Sequence, residues 1–186
     1  MRLFVAVDIN DALRSRIEKL QGELKRRLKN SAGIKWVSPE LIHLTLKFLG
    51  DVEDENAELI TDSLEQVCIG FKNFELEFST VGSFGRPPKV IWLGMEKQNS
   101  ELQKLVGDIE NAFEELGFEK EQREFSPHLT LARIKEGFND RTLPQIIESF
   151  GKIETPALTI DGVCIYKSQL TSDGPVYTLL RKIKFI

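Results

Sequence analysis

Apolar positions along the chain fall into short runs that alternate with longer helical stripes. The first run, Met1-Arg2-Leu3-Phe4-Val5-Ala6-Val7-Asp8, has one basic residue and an apolar stretch too short for a signal peptide, so it reads as a first strand. Leu13, Ile17, Leu20, Leu24 and Leu28 then recur at helical spacing behind Asn10-Asp11, which supplies a cap. A second stripe follows Asp51, with Ile60, Leu64 and Val67 facing inward. A third starts near Ser100 and carries Leu102, Leu105, Val106, Ile109, Phe113 and Leu116, with Gly117 where a C-terminal cap belongs. A short fourth helix covers residues 143–150, with Thr142 as cap and Pro144 in its first turn.

Strand candidates lie between the stripes. Phe74, Leu76 and Phe78 alternate with Glu75, Glu77 and Ser79, which predicts one wet face. Residues 90–93 read as a more buried strand, and residues 157–166 and 176–185 close the chain as two more. Residues 82–88, with two Gly and two Pro, read as a loop, and Asp173-Gly174-Pro175 as a turn. No linker or charge block divides these elements, so residues 1–186 form one domain or two small lobes on one chain.

Composition adds limits rather than a function. Hydrophobic residues at 41% and charged residues at 29% describe an ordinary soluble globular chain. The net charge of −4 offers no overall field for polyanions, so any nucleic acid binds a local basic cleft. Lys25, Arg26, Arg27 and Lys29 make one helix face basic, but Asp11, Glu18 and Glu23 share that helix, which favours a solvated face. Cys68 and Cys164 are isolated in apolar company and read as buried free thiols, as in a reducing cytosol. No apolar segment is long enough to span a membrane.

The candidate chemistry lies in the histidines. There are two, and both open the same tetrapeptide: His43-Leu44-Thr45-Leu46 and His128-Leu129-Thr130-Leu131. On a strand, His and Thr project to one face and the two Leu to the other. Each copy is then a reactive face backed by a core face, and the repetition implies an internal duplication around a pseudo-two-fold axis. Imidazole titrates near neutrality, so two of them on one substrate can act as acid and base in the same step. On the residues alone the two are nearly interchangeable. A phosphodiester suits the pair, with Thr hydroxyls on the non-bridging oxygens where charge accumulates. Lys47, two residues after Thr45, falls on the reactive face by the same count. Arg133 falls on the Leu face and reaches the cleft only if its strand ends or bulges. A lone strand histidine is more often structural, but a repeat that uses every histidine reverses that balance. Two His without Cys or His-x-x-x-His spacing make a poor zinc set. Ser126, close to His128, is a possible nucleophile without a nucleophile elbow around it.

These motifs resemble the two-histidine (2H) phosphoesterase superfamily, and the resemblance runs over nearly the whole chain. Residues 1–8, Lys35-Trp36-Val37, His43-Leu44-Thr45-Leu46-Lys47-Phe48-Leu49-Gly50, Val90-Ile91-Trp92-Leu93-Gly94, Pro127-His128-Leu129-Thr130-Leu131-Ala132-Arg133, Tyr166-Lys167-Ser168 and Gly174-Pro175-Val176-Tyr177 look like its RNA 2′,3′-cyclic phosphodiesterase (2′-5′ RNA ligase) branch. The resemblance implies a bilobal α+β fold. Two antiparallel sheets related by a pseudo-two-fold line a central cleft, with helices outside and one motif per lobe (43–46 and 128–131). It implies hydrolysis of 2′,3′-cyclic phosphate RNA ends to 2′-phosphates without metal or other cofactor, and reversible ATP-independent 2′-5′ joining of tRNA halves. By motif position His43 is the proton donor, His128 the proton acceptor, and Thr45, Thr130 and Arg133 bind phosphate. Lys47, Phe84 and Arg86 are further substrate-binding candidates, and Phe84 and Trp36 are candidates for stacking on a base, although core packing suits Trp36 better. Lys89 and Lys167 would extend a basic rim. The expected partner is an RNA end, met by a cytoplasmic monomer. The alternatives are a 2H phosphodiesterase for a small nucleotide (a 2′-5′ oligoadenylate or cyclic nucleotide) and a non-catalytic RNA- or nucleotide-binding module.

Overall fold

The computed structural model describes residues 1–28, 32–138, 141–172 and 174–186; Lys29 and Asp173, invoked above, lie outside the described residues. The chain runs β1 (Arg2–Asp8), α1 (Asp11–Arg27), β2 (Ile34–Trp36), β3 (His43–Asp51), α2 (Ala57–Cys68), β4 (Phe74–Leu76), β5 (Thr80–Phe84), β6 (Val90–Gly94), α3 (Ser100–Glu115), β7 (His128–Ile134), α4 (Leu143–Glu148), β8 (Leu158–Ile160), β9 (Gly162–Thr171) and β10 (Gly174–Lys184).

Local sequence explains most of these boundaries. Asn10 accepts from the Leu13 amide at 2.8 Å and starts α1, and Asn99 does the same for α3 through the Leu102 amide at 2.9 Å. Gly117, at φ +87°, closes α3 in the left-handed conformation the sequence predicts. The fourth helix differs from expectation. Thr142 is itself helical and makes no capping bond, and regular helix stops at Glu148. Residues 82–88 also divide differently, because Gly82 to Phe84 complete β5 and only residues 85–88 turn. Gly82 is there for space: a Cβ on it would come within 2.3 Å of the Trp92 ring. The short strand β2, with three residues, has too little alternation for the sequence to announce it.

The structure is α+β with two antiparallel sheets. One follows the order β10-β9-β1-β3-β7-β6-β5, with β2 also on β7, and the other pairs β4 with β8. In the large sheet β3 meets β7 at one residue pair, Leu44 with Leu129. These are equivalent positions of the two tetrapeptides, which is where an antiparallel pair lying on a two-fold axis would meet. Leu44, Leu46, Leu129 and Leu131 share one buried cluster with the apolar faces of α1, α2 and α3, so the Leu side of both motifs is core. The His and Thr side is the opposite, open face.

Candidate functional site: the open face at the β3–β7 junction

Counting outward from the Leu44–Leu129 pair, the antiparallel register sets His43 toward Thr130 and Thr45 toward His128. Both imidazoles are held in the same way. His43 Nδ1 lies 2.8 Å from the Leu41 carbonyl, and His128 Nδ1 lies 2.8 Å from the Ser126 carbonyl. A carbonyl only accepts, so each Nδ1 carries the hydrogen, and Nε2 on the far side of each ring is left for a substrate. What Ser126 offers His128 is therefore its backbone.

The surroundings of the two rings differ. His43 stacks on Phe4 at 4.9 Å and meets Tyr177 edge-on at 5.2 Å. His128 meets Phe84 edge-on at 4.9 Å, and Phe84 in turn leans on Trp92 at 5.3 Å. Opposite His43 in the ladder stands Asp8, whereas Gly94 stands opposite His128. Asp8 accepts from the Tyr166 hydroxyl at 2.6 Å and from the Cys164 thiol at 3.6 Å. Burial pulls the His43 pKa below the usual imidazole range. The Leu41 carbonyl and the Asp8 charge oppose that pull, and Arg133 adds to it. Burial, then Asp8, pushes the Cys164 thiol up to about 12, and burial lifts Cys68 to about 11. Both are buried free thiols, as the sequence suggested.

Both motif strands bulge at the fourth residue of the tetrapeptide. In the β1–β3 ladder Ala6 faces Thr45 and Val5 faces Lys47, so Leu46 is skipped. In the β6–β7 ladder Trp92 faces Thr130 and Ile91 faces Ala132, so Leu131 is skipped. An extra residue reverses the alternation beyond it. Arg133, opposite Val90 and in phase with Trp92, therefore comes onto the open face, meeting the condition its sequence position imposed. For Lys47 the same device corrects the expectation. It turns inward, 5% exposed, pairs with Glu110 of α3 at 2.5 Å and donates to the Glu119 carbonyl at 3.0 Å. Its place on the open face goes to Phe48, 71% exposed with its ring 6.0 Å from Phe4.

The remaining candidates separate clearly. Phe84 joins the site beside His128, while Arg86 is exposed in the turn beyond it. Trp36 faces Ala132 on the core side with Lys25 over its ring at 5.1 Å, in line with its core reading. Lys167 faces Leu3, on the opposite side of β9 from Tyr166, and so leaves the proposed rim. Lys89 bonds the Phe84 carbonyl through its backbone amide in the same turn as Arg86. Sequence reasoning missed Asp8, Tyr166, Tyr177 and Phe48. The first three come from strands distant in sequence, and Phe48 needed the bulge. Among the described residues no three His, Cys, Asp or Glu side chains cluster to hold a metal, and no helix is long and apolar enough to cross a membrane.

A family model described as LigT like phosphoesterase matches residues 7–92 and again 93–177, so each match takes in one His motif. The chain is 35% identical over 182 residues to a Methanothermobacter thermautotrophicus protein named RNA 2′,3′-cyclic phosphodiesterase, covering 96% of this chain and 95% of that one. A Thermotoga maritima protein of the same name is 33% identical over 189 residues, covering 100% and 96%. In fold the chain is similar to a Thermus thermophilus protein of known crystal structure (TM-score 0.83, 24% identity, 100% and 98% covered). It is likewise similar to Escherichia coli LigT complexed with 3′-AMP (TM-score 0.79, 23% identity, 99% and 97% covered).

Proposed function

The chain belongs to the LigT-like phosphoesterase family, and on that premise we propose that it hydrolyses 2′,3′-cyclic phosphate ends of RNA to 2′-phosphates by metal-independent acid–base catalysis between His43 and His128. The observation that carries this reading is the matched pair of imidazoles. Each has its Nδ1 on a backbone carbonyl at 2.8 Å and its Nε2 unused, on either side of a single junction.

In the proposed step, His128 accepts a proton from water as the water oxygen bonds to phosphorus. The bond from phosphorus to the 3′ oxygen breaks, and His43 gives its Nε2 proton to that oxygen, leaving a 2′-phosphate. Thr45, Thr130 and Arg133 hold the non-bridging oxygens, Arg133 through charge-assisted bonds. Asp8 supports His43 as the donor, because a carboxylate beside the ring favours imidazolium. Burial and Arg133 lower the His43 pKa in the free protein. A bound phosphate anion reverses that by adding negative charge at Nε2 and offsetting Arg133. Phe84 beside His128 and the exposed Phe48 beside Phe4, two of the aromatic side chains flanking the junction, offer faces for a terminal base.

The same reading makes residues 1–186 one bilobal domain with one motif per lobe. It takes tRNA halves as the substrates of a reversible ATP-independent 2′-5′ joining, and a cytoplasmic monomer as the acting form. The test is incubation of the protein with RNA ending in a 2′,3′-cyclic phosphate, followed by identification of the product. A 2′-phosphate formed in the presence of chelator is expected, with loss of turnover in His43→Ala and His128→Ala. A 3′-phosphate product, or full turnover in either variant, overturns the reading.

A further inference from the structure

Among the described residues three polar or charged side chains are buried: Gln21, Lys47 and Ser79, exposed by 3%, 5% and 9%. Two of them stand at the two bulges. Lys47 is the residue after Leu46, fixed to α3 as described. Gln21, on the inward face of α1 among Leu13, Ile17, Leu20 and Leu24, reaches the other bulge. Its Nε2 donates to the Leu131 carbonyl at 3.0 Å and to the Val37 carbonyl at 2.8 Å. The Val37 amide donates to the same Leu131 carbonyl at 3.0 Å.

A buried amide on an otherwise apolar helix face costs desolvation that a Leu or Met would avoid. A bulged residue in a core creates the matching need. Leu131 is 0% exposed and skipped by β6, so its carbonyl needs partners that water does not supply. Gln21 and Val37 provide them, and the second Gln21 bond ties the chain beyond β2 to the same point. With that carbonyl held, the extra residue stays in the strand, and the side chains beyond it keep their reversed phase.

We propose that Gln21 is a positioning residue for the phosphate site: from inside the core it pins the Leu131 bulge and so keeps Arg133 on the open face. The inference rests on the reading that Arg133 binds the phosphate, and the experiment separates the two. KM for RNA ending in a 2′,3′-cyclic phosphate, kcat, and the equilibrium affinity for adenosine 2′-monophosphate are measured for Gln21→Met, Arg133→Ala and the double variant. Leu64→Ala, a core lesion in α2, serves as a stability control. Gln21→Met is expected to raise KM and weaken the nucleotide by about tenfold, with a smaller change in kcat and no further loss once Arg133 is gone. Leu64→Ala loses stability without that split. If Arg133→Ala raises KM and Gln21→Met does not, the positioning role is overturned and the phosphate reading stands. If Arg133→Ala leaves both KM and affinity unchanged, the phosphate reading falls and the role of Gln21 with it. Should Gln21→Met fold poorly, Gln21→Asn, whose amide is one methylene short of the Leu131 carbonyl, is expected to show the same split; lowered stability with an unchanged KM overturns the proposal.

Discussion

Asp8 stands directly opposite His43 in the β1–β3 ladder, and its carboxylate is held there by the Tyr166 hydroxyl at 2.6 Å. The charge favours the protonated ring, while burial and Arg133 favour the neutral one. Asp8→Asn is therefore expected to lower the His43 pKa further, and Arg133→Ala to raise it. Two histidines give two ring signals, so a proton NMR titration of each variant reads the shift directly. Movement of His43 in the opposite direction in either variant contradicts this account.

The same lowered pKa makes stability depend on pH. Between the folded value and the unfolded imidazole value of about 6.5, the unfolded chain binds the proton and the folded chain does not. The contribution of His43 is thus fully present above about pH 6.5 and is lost as pH falls through that window. One group gives a slope of at most about 1.4 kcal/mol per pH unit. Urea unfolding across the acid-to-neutral range is expected to show a smaller rise with pH in His43→Phe than in the wild type, and equal slopes in the two proteins would refute the assignment.

Catalysis by a paired acid and base predicts a loss of about 10²–10⁴ in kcat for either single His→Ala variant. Removing both is expected to cost less than the product of the two losses, since neither group completes the step alone. Steady-state rates on a cyclic-phosphate RNA end check both statements.

Trp92 lies over two glycines. A Cβ on Gly82 would come within 2.3 Å of its ring, and one on Gly94 within 2.7 Å. Gly82→Ala is expected to cost about 1–3 kcal/mol through overpacking. It would also disturb the Phe84 ring that Trp92 supports beside His128. Denaturant unfolding measures the first effect, and a weakened response of His128 to substrate in the NMR titration measures the second.

Lys47 and Glu110 form an ion pair whose side chains are 4% and 15% exposed. Removing one partner strands a buried charge, so Lys47→Met is expected to destabilise by about 3–5 kcal/mol. Replacing both with apolar side chains in Lys47→Met/Glu110→Leu should recover most of that loss. A double variant less stable than the single one would show that the pair is not coupled in this way.

The sequence made the two tetrapeptides, the three longer helices and the open-face placement of His and Thr readable, because each depends on local periodicity. It placed Lys47 on the wrong face and Arg133 only conditionally, because alternation is counted on an unbroken strand and both strands hold an extra residue. That residue was not visible in composition. Leu46 and Leu131 look like ordinary members of an apolar run, and what holds the second bulge, Gln21, sits on another element. Asp8 and Tyr166 were invisible as site residues for a related reason: strand order brings β9 and β3 to either side of β1, and no local pattern encodes which strands become neighbours.

The shared bulge makes each motif strand behave like a text with a reading frame. Taking Leu46 or Leu131 into the regular pleat, with no residue removed, would do more than straighten a strand. Everything downstream would change phase, turning Lys47 outward and Phe48 inward in one half, and Arg133 inward in the other. Because both copies shift at the same station, one repeated scaffold displays different side chains at matched sites, an aromatic ring from the first copy and a cation from the second. The two matched segments, residues 7–92 and 93–177, thus differ in what they present while both motif strands keep their places in the sheet.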